Sequence, residues 1–105
     1  MSKTPTEGVE ISHEELARRI AGVCVLRGTF TLRSGRTSSY YLDKYLFSTR
    51  PEILGPLGAA FAARVRQIER EGGRVVERLA GAELGGIPLV TVASLATGKP
   101  CLFVR

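Results

Sequence analysis

The densest group of hydrogen-bond donors in the sequence lies in residues 33–39, RSGRTSS, which hold two arginines, four hydroxyl side chains and one glycine. A tight turn needs little more than a residue of suitable backbone freedom, so these donors exceed what a turn requires. Arg33 is the main candidate, because its planar guanidinium suits the oxygens of a phosphate or carboxylate. The segment predicts an anion-binding loop, and the alternative is that Arg33 is a solvated hairpin residue.

A second candidate anion site is residues 82–86, AELGG, which end in two glycines and precede a predicted helix. A glycine-rich turn that leads into a helix can present backbone amides, here around Leu84 and Gly85, to an anion. As a motif the two glycines are weak, and a simple turn is the alternative. Arg105 follows an apolar run, at the position after a strand where α/β proteins place functional loops.

The other residues of chemical interest have simpler interpretations. Cys24 and Cys101 lie far apart, without the spacing of a metal or redox motif, and are expected to be buried small apolar residues. His13 falls in the first turn of a predicted helix, where a surface position is expected. Asp43 is expected to brace its own hairpin. The sequence therefore predicts neither a metal site held by the protein nor a Ser/His/Asp set.

The charge pattern bears on possible partners. The net charge is +5 and the pI is about 9.8, which suits nucleic acid, an acidic membrane surface or a small substrate rich in phosphate and carboxylate. The arginines are scattered, without a run of like charge or interleaved aromatic residues, so nucleic acid is not the expected partner. The N-terminus is polar and no stretch approaches transmembrane length, so we expect a cytoplasmic protein without a membrane partner.

Helical periodicity predicts the element that precedes these loops. Ser12 followed by Glu15 has the spacing of a capping box, and the apolar stripe after it predicts a helix to about Leu26. Alternating apolar residues in segment 29–43 then predict a hairpin-like pair of strands. A second, longer helix is expected from Pro51 to the following pair of glycines.

The remainder of the sequence alternates strand and helix. We expect a buried strand over residues 79–81, a helix over 87–96 and an apolar strand over 101–104. This order predicts an α/β fold that opens a parallel sheet with a crossover helix.

A single domain is expected over 1–105, because no linker or repeat divides the chain. Within it we distinguish a helix and hairpin region over 1–50 and the start of the core over 51–105. A two-stranded core leaves a sheet edge and much apolar surface uncovered. We therefore expect either a fragment that aggregates or a sheet that another copy completes.

Three ordered segments resemble orotate phosphoribosyltransferases. Residues 26–43, LRGTFTLRSGRTSSYYLD, are similar to the family pattern G-x-F-x-L-x-S-G-x-x-S-x-Y-x-x-D/N. Residues 80–89, AGAELGGIPL, are similar to the family's second signature, and residues 100–105, PCLFVR, resemble the strand before its lysine-rich loop. The resemblance implies the N-terminal part of a type I phosphoribosyltransferase fold, with the helix and hairpin as a hood over the core.

The resemblance also implies a reaction. The family transfers a phosphoribosyl group from phosphoribosyl pyrophosphate to orotate, which gives orotidine 5'-monophosphate and pyrophosphate for UMP biosynthesis. Magnesium is bound with the donor, and each active site is shared within a homodimer. The family's later strand with paired aspartates has no counterpart in these 105 residues, so an incomplete, inactive chain is one expectation.

Four residues are implied to bind the donor by their positions in the family pattern: Arg33, Leu84, Gly85 and Arg105. Arg33 and Arg105 stand where family members carry basic residues that reach the donor of the neighbouring subunit. Leu84 and Gly85 stand where backbone amides contact the diphosphate. Some members have a lysine at the position of Gly85, so only the backbone contact is implied here.

Tyr41 and Leu42 are implied to border orotate, through a flat wall and backbone hydrogen bonds. Without the resemblance, the tyrosines of this region would be interpreted as half-buried core residues. Two alternatives remain. One is a purine or regulatory relative with the same core fold, against which the hairpin argues, and the other is a small basic module that binds RNA or another anion without catalysis.

Overall fold

The computed structural model describes residues 10–105 as an α/β chain with two small sheets. Its elements in chain order are α1 (His13–Cys24), β1 (Val25–Thr31), β2 (Thr37–Leu42), a 3-10 helix (Leu46–Thr49), α2 (Pro51–Gly72), β3 (Leu79–Ala82), α3 (Gly86–Thr97) and β4 (Cys101–Val104). β1 pairs with β2 in an antiparallel hairpin, and β3 pairs with β4 in parallel. The predicted fold class is thereby confirmed.

The first helix begins as predicted and ends earlier. The Oγ of Ser12 accepts a hydrogen bond from the Glu15 N–H at 3.0 Å, which is one half of the predicted capping box. The expected end near Leu26 is wrong, because Val25 and Leu26 already belong to β1 and pair with Leu42 and Tyr41. Cross-strand pairing therefore overrides the helical periodicity that continues through these residues.

The hairpin turns at residues 32–36, around the predicted Ser34 and Gly35. The predicted loop over 33–39 is too long, because residues 37–39 already belong to β2. The Leu32 N–H donates to the Arg36 carbonyl at 2.8 Å, and Gly35 has a φ of 88°, a left-handed conformation that suits glycine. The register shifts between Arg27 and Phe30, where Gly28 has a φ of 149°. The predicted strand start at residue 29 is too late, because β1 already begins at Val25.

Helix α2 is the central element of the described chain. Pro51 is at its first turn and Gly73, with a φ of 67°, ends it, as the sequence predicts. It packs closely on α3 at Gly58, where an added Cβ would lie only 2.9 Å from the Val92 carbonyl oxygen. The most buried apolar residues come from α1, α2 and α3: Leu16, Cys24, Ile53, Ala59, Ala62, Val90 and Ala93.

The β3–α3–β4 unit is the predicted parallel crossover. Helix α3 extends slightly beyond the expected 87–96, and β4 has the expected bounds. Two expectations of burial fail: β3 alternates between half-buried and exposed residues, and Cys101 is half-buried whereas Cys24 is buried. β3 is not fully buried because, within residues 10–105, only β4 pairs with it. No helix in this range is long and apolar enough to cross a membrane.

Candidate functional site

The carboxyl ends of β3 and β4 bring two of the predicted donor-binding segments together. Ala82 and Val104 are register partners, and the Glu83 N–H donates to the Val104 carbonyl at 2.8 Å. Arg105 therefore leaves β4 directly beside the loop that leaves β3, as parallel pairing requires. We call residues 83–86, which are the turn after β3 and the first residue of α3, the 83–86 loop. It contains Leu84 and Gly85, so three of the four predicted donor-binding residues share this edge of the sheet.

The 83–86 loop leads straight into the first turn of α3. Leu84 is 78% exposed, and the Ile87 N–H donates to its carbonyl at 3.1 Å. Within the described part of the chain, the N–H groups of Leu84 and Gly85 have no backbone acceptor. Free amides beside a helix N-terminus, where the helix dipole is positive, favour an anion. The predicted backbone contact to a phosphate is compatible with this geometry.

The loop lies close to its own strand because glycines face each other there. A Cβ placed on Gly81 would lie 2.5 Å from the carbonyl oxygen of Gly86 and 2.7 Å from the Cβ of Val90. Any side chain at position 81 would therefore push the start of α3 away from β3. The position of the loop depends on this contact.

Tyr45, which the sequence analysis did not name as a candidate site residue, lies against the 83–86 loop. A Cβ placed on Gly85 would lie only 2.9 Å from the Cε1 atom of the Tyr45 ring. Asp43 fixes the turn before this ring, since its Oδ1 accepts from the N–H groups of Tyr45 at 3.0 Å and Leu46 at 3.2 Å. Asp43 therefore braces the end of the hairpin, as predicted, and the ammonium of Lys44 lies 5.4 Å from the centre of the Tyr45 ring.

Tyr41 and Leu42 lie at the same end of the hairpin and are exposed by 47% and 59%. Neighbouring residues of a strand point to opposite faces, so their side chains do not form one wall. The Tyr41 ring lies 5.7 Å from the Phe30 ring, with 34° between the planes. Tyr40, Tyr41 and Tyr45 are each about half exposed, and none of them belongs to the buried core, so the alternative interpretation is right about partial burial and wrong about the core.

Arg33 is the predicted site residue that the chain does not bring to this edge. It lies in the hairpin turn, whereas Leu42 and Tyr45 lie at the other end. The six residues of β2 separate these ends by about 20 Å, at about 3.3 Å per residue. Among residues 10–105, neither Arg33 nor Arg105 forms an ion pair.

The carboxylates with clearly shifted pKa values lie elsewhere. A side-chain hydrogen bond from Lys99, and a second from the Val76 N–H, lower the pKa of Glu69. The side-chain hydrogen bond from Arg50 is the main cause of the lowered pKa of Glu52. Within residues 10–105, no three His, Cys, Asp or Glu side chains are grouped so that they could hold a metal ion. The site therefore offers amides, a guanidinium and aromatic surface.

Curated relatives in three prokaryotes share this stretch of sequence. The chain is 42% identical over 90 residues to the orotate phosphoribosyltransferase of Nocardioides sp., covering 86% of the chain and 46% of the relative. It is 47% identical to the enzyme of Methanocella arvoryzae, over 74% of the chain and 41% of the relative. It is 38% identical to the enzyme of Methanosarcina mazei, over 100% of the chain and 55% of the relative. The chain thus spans about half the length of the curated relatives it matches. No protein-family model matches it.

Solved structures agree with these relatives. The orotate phosphoribosyltransferase of Mycobacterium tuberculosis superposes with a TM-score of 0.67 at 26% identity, covering 87% of this chain and 50% of that one. The UMP synthase of Leishmania donovani superposes with a TM-score of 0.64 at 27% identity, covering 91% of this chain and 20% of that one. In sequence and in fold, the chain corresponds to the N-terminal half of the orotate phosphoribosyltransferases.

Proposed function

We propose that the chain supplies the N-terminal half of an orotate phosphoribosyltransferase site, which transfers a phosphoribosyl group from phosphoribosyl pyrophosphate to orotate. The observation that carries the proposal is the meeting of the 83–86 loop and Arg105 at one sheet edge, beside the tyrosine-rich end of the hairpin. Amides and a guanidinium suit phosphates, and exposed rings suit a planar pyrimidine.

The chemistry explains why so few acid or base groups are needed. When pyrophosphate leaves, the ribose becomes oxocarbenium-like and negative charge grows on the leaving phosphates. The amides of Leu84 and Gly85 are backbone donors for that charge, and the Arg105 guanidinium adds a positive charge beside them. These groups act mainly by positioning and by electrostatic stabilisation. Magnesium enters as part of the substrate, because phosphate oxygens commonly supply much of its coordination.

The orotate side of the site is the end of β2. One exposed face of Tyr41 offers a flat apolar surface, and the backbone of Leu42 offers the hydrogen-bonding groups that can fix a pyrimidine edge. We propose this division of roles because the two side chains point to opposite faces of the strand.

A homodimer is part of the proposal. Arg33 lies at the far end of the hairpin from the 83–86 loop, so it would reach a donor only at the site of a second subunit. The expected cytoplasmic location stays a prediction of the sequence.

Calorimetric titration of the 105-residue chain tests the proposal, with orotate and magnesium phosphoribosyl pyrophosphate as separate ligands. We expect both to bind, and Arg105→Ala to weaken donor binding about tenfold, a free-energy change of about 1.4 kcal/mol, while orotate binding is retained. Arg70→Ala is the matched control. Arg70 is an exposed arginine in the last turn of α2, which precedes the N-terminal end of β3, whereas the proposed site lies at the carboxyl end.

A product assay for orotidine 5'-monophosphate runs alongside the titration. Binding without turnover supports the proposal that the chain supplies half of the site. Turnover would mean that the chain forms a complete site. If neither ligand binds, or if Arg70→Ala weakens the donor as much as Arg105→Ala does, the proposal is wrong.

A further inference from the structure

We propose that Tyr45 is a positioning residue for the 83–86 loop: its ring occupies the space that a side chain at position 85 would need, and so holds the loop amides toward the donor phosphates. This inference rests on the proposed function and adds to it a residue that determines the shape of the donor site.

The steric argument is direct. A Cβ on Gly85 would lie 2.9 Å from Cε1 and 3.5 Å from Cδ1 of Tyr45, and the first distance is shorter than real Cβ contacts allow. A Cβ on Gly22 or Gly72 would meet nothing within 4 Å. A side chain at position 85 would therefore fit only if the Tyr45 ring moved away, so a ring from a distant part of the chain limits what position 85 can hold.

The backbone of Tyr45 is held on both sides. Its N–H donates to the Asp43 carboxylate at 3.0 Å, and its carbonyl accepts from the Ser48 hydroxyl at 2.7 Å and the Ser48 N–H at 3.1 Å. The Lys44 ammonium is 5.4 Å from the ring centre, within the range of a cation–π contact. The ring is thus presented to the loop by a short, internally bonded turn.

Exposure separates this role from ordinary packing. Tyr45 is 54% exposed, and the buried core of the described chain lies among the helices. Removal of a half-exposed ring should cost little global stability. It should, however, allow the 83–86 loop to move, because Gly85 has no side chain that could replace the contact with the ring. We therefore expect donor affinity to respond more strongly than stability does.

The first test compares Tyr45→Ala, Tyr45→Phe and Tyr40→Ala by calorimetry with magnesium phosphoribosyl pyrophosphate and with orotate. Tyr40 is the matched control, because it is 49% exposed in the preceding strand β2 and none of its atoms is among those nearest to a Cβ on Gly85. We expect Tyr45→Ala to weaken donor binding about tenfold and orotate binding less than about twofold, and Tyr45→Phe to restore donor binding. Equal losses for both ligands, or no rescue by phenylalanine, would overturn the inference.

The second test is a double-mutant cycle with Gly85→Ala. In the chain with Tyr45, Gly85→Ala should weaken donor binding and lower Tm, and in the Tyr45→Ala background both effects should shrink by more than half. Additive effects would overturn the inference and leave the proposed function standing. If the unchanged chain binds no donor, the proposed function fails and this inference fails with it.

Discussion

At the scale of single residues, the glycines around β3 decide how closely the 83–86 loop can lie to the sheet. Gly81 faces the carbonyl oxygen of Gly86 and the side chain of Val90, both nearer than a real Cβ could approach. The neighbours are backbone and a buried core residue, so neither can move aside at low cost. In contrast, the surroundings of Gly22 in α1 are open.

Gly81→Ala should therefore destabilise the chain by about 1–3 kcal/mol, the usual range for overpacking. Gly22→Ala should stabilise it by about 0.5–1 kcal/mol, because glycine inside a helix loses more backbone entropy on folding. Urea denaturation followed by circular dichroism measures both. Similar free energies of unfolding for the two variants would contradict the steric argument.

Three of the four residues that the resemblance implies as donor-binding lie at one edge of the sheet, because parallel strands bring their carboxyl ends to the same edge. The sequence did not identify Tyr45, because nothing in the local pattern indicates that this ring meets Gly85, forty residues later in the chain. Such a contact depends on how the hairpin sits on the core. The available signal was Gly85 itself. Some members of the family have a lysine at this position, so a glycine there indicates that another residue fills the space of the side chain.

At the scale of elements, a proline in α2 creates the contact that joins α2 to α1. Pro56 has no N–H, so the Glu52 carbonyl loses its usual helical donor. The guanidinium of Arg19 donates to that carbonyl at 2.8 Å. The free acceptor in one helix is therefore satisfied by a side chain from the other.

Arg19→Met should accordingly destabilise the chain by about 0.5–1.5 kcal/mol, the net value of a typical hydrogen bond. In a Pro56→Ala background, residue 56 regains an N–H for the Glu52 carbonyl, so the same substitution should cost clearly less. Urea denaturation of the four chains of this cycle gives the coupling energy. Zero coupling would show that the arginine acts through its weak contact with Glu15, 3.8 Å away, instead.

The end of α2 is tied to the end of α3 by Glu69. Its carboxylate accepts from the Lys99 ammonium and from the Val76 N–H, both at 2.8 Å. These bonds lower the pKa of Glu69 in the folded chain. A carboxyl whose pKa falls on folding stabilises the folded state above its unfolded pKa, and that stabilisation is lost as the pH falls through the lowered value.

Glu69→Gln should therefore lower Tm at pH 7, and the difference from the unchanged chain should shrink at pH 3. Glu77→Gln is the control, because Glu77 is exposed in the segment between α2 and β3. Thermal melts at the two pH values test the prediction. A difference that is the same at both would mean that the charge of Glu69 contributes nothing.

Helices were easier to predict than the strand boundaries. Ser12, Pro51, Gly73 and Gly98 mark helix ends by local chemistry that holds in any context. Val25 and Leu26 carry no such mark, and their apolar character suits either the end of a helix or the start of a strand. Pairing with β2 decides between them, and pairing is not a local property.

At the scale of the whole described chain, apolar surface remains open on the parallel sheet. Leu102, Phe103 and Val104 of β4 are 42%, 57% and 43% exposed. A groove of about 380 Å³ lies between α2, β3 and α3, lined in part by Phe61 and Leu89. Among residues 10–105, β3 and β4 each have only one neighbouring strand. Such edges promote association.

The 105-residue chain should therefore associate as its concentration rises, and Phe103→Lys should reduce this. Sedimentation velocity over a hundredfold range of concentration, roughly from micromolar upward, measures the change. Val75→Lys is the control, because Val75 is 75% exposed outside both sheets. If the two substitutions act alike, the added charge and not the loss of sheet surface is responsible.

The pairing of strands that are near neighbours in sequence has a consequence for the order of folding. The hairpin is complete within residues 25–42 and the parallel unit within 79–104, so each closes only a short loop of chain. The contact of Tyr45 with Gly85 joins these two units and closes a longer one. Each unit can therefore form on its own. We expect the sheet edge with the 83–86 loop and Arg105 to form early, and the Tyr45 ring to reach this edge last. Hydrogen exchange should then show that the backbone amides of the hairpin exchange through local openings in which the amides of α3 stay protected.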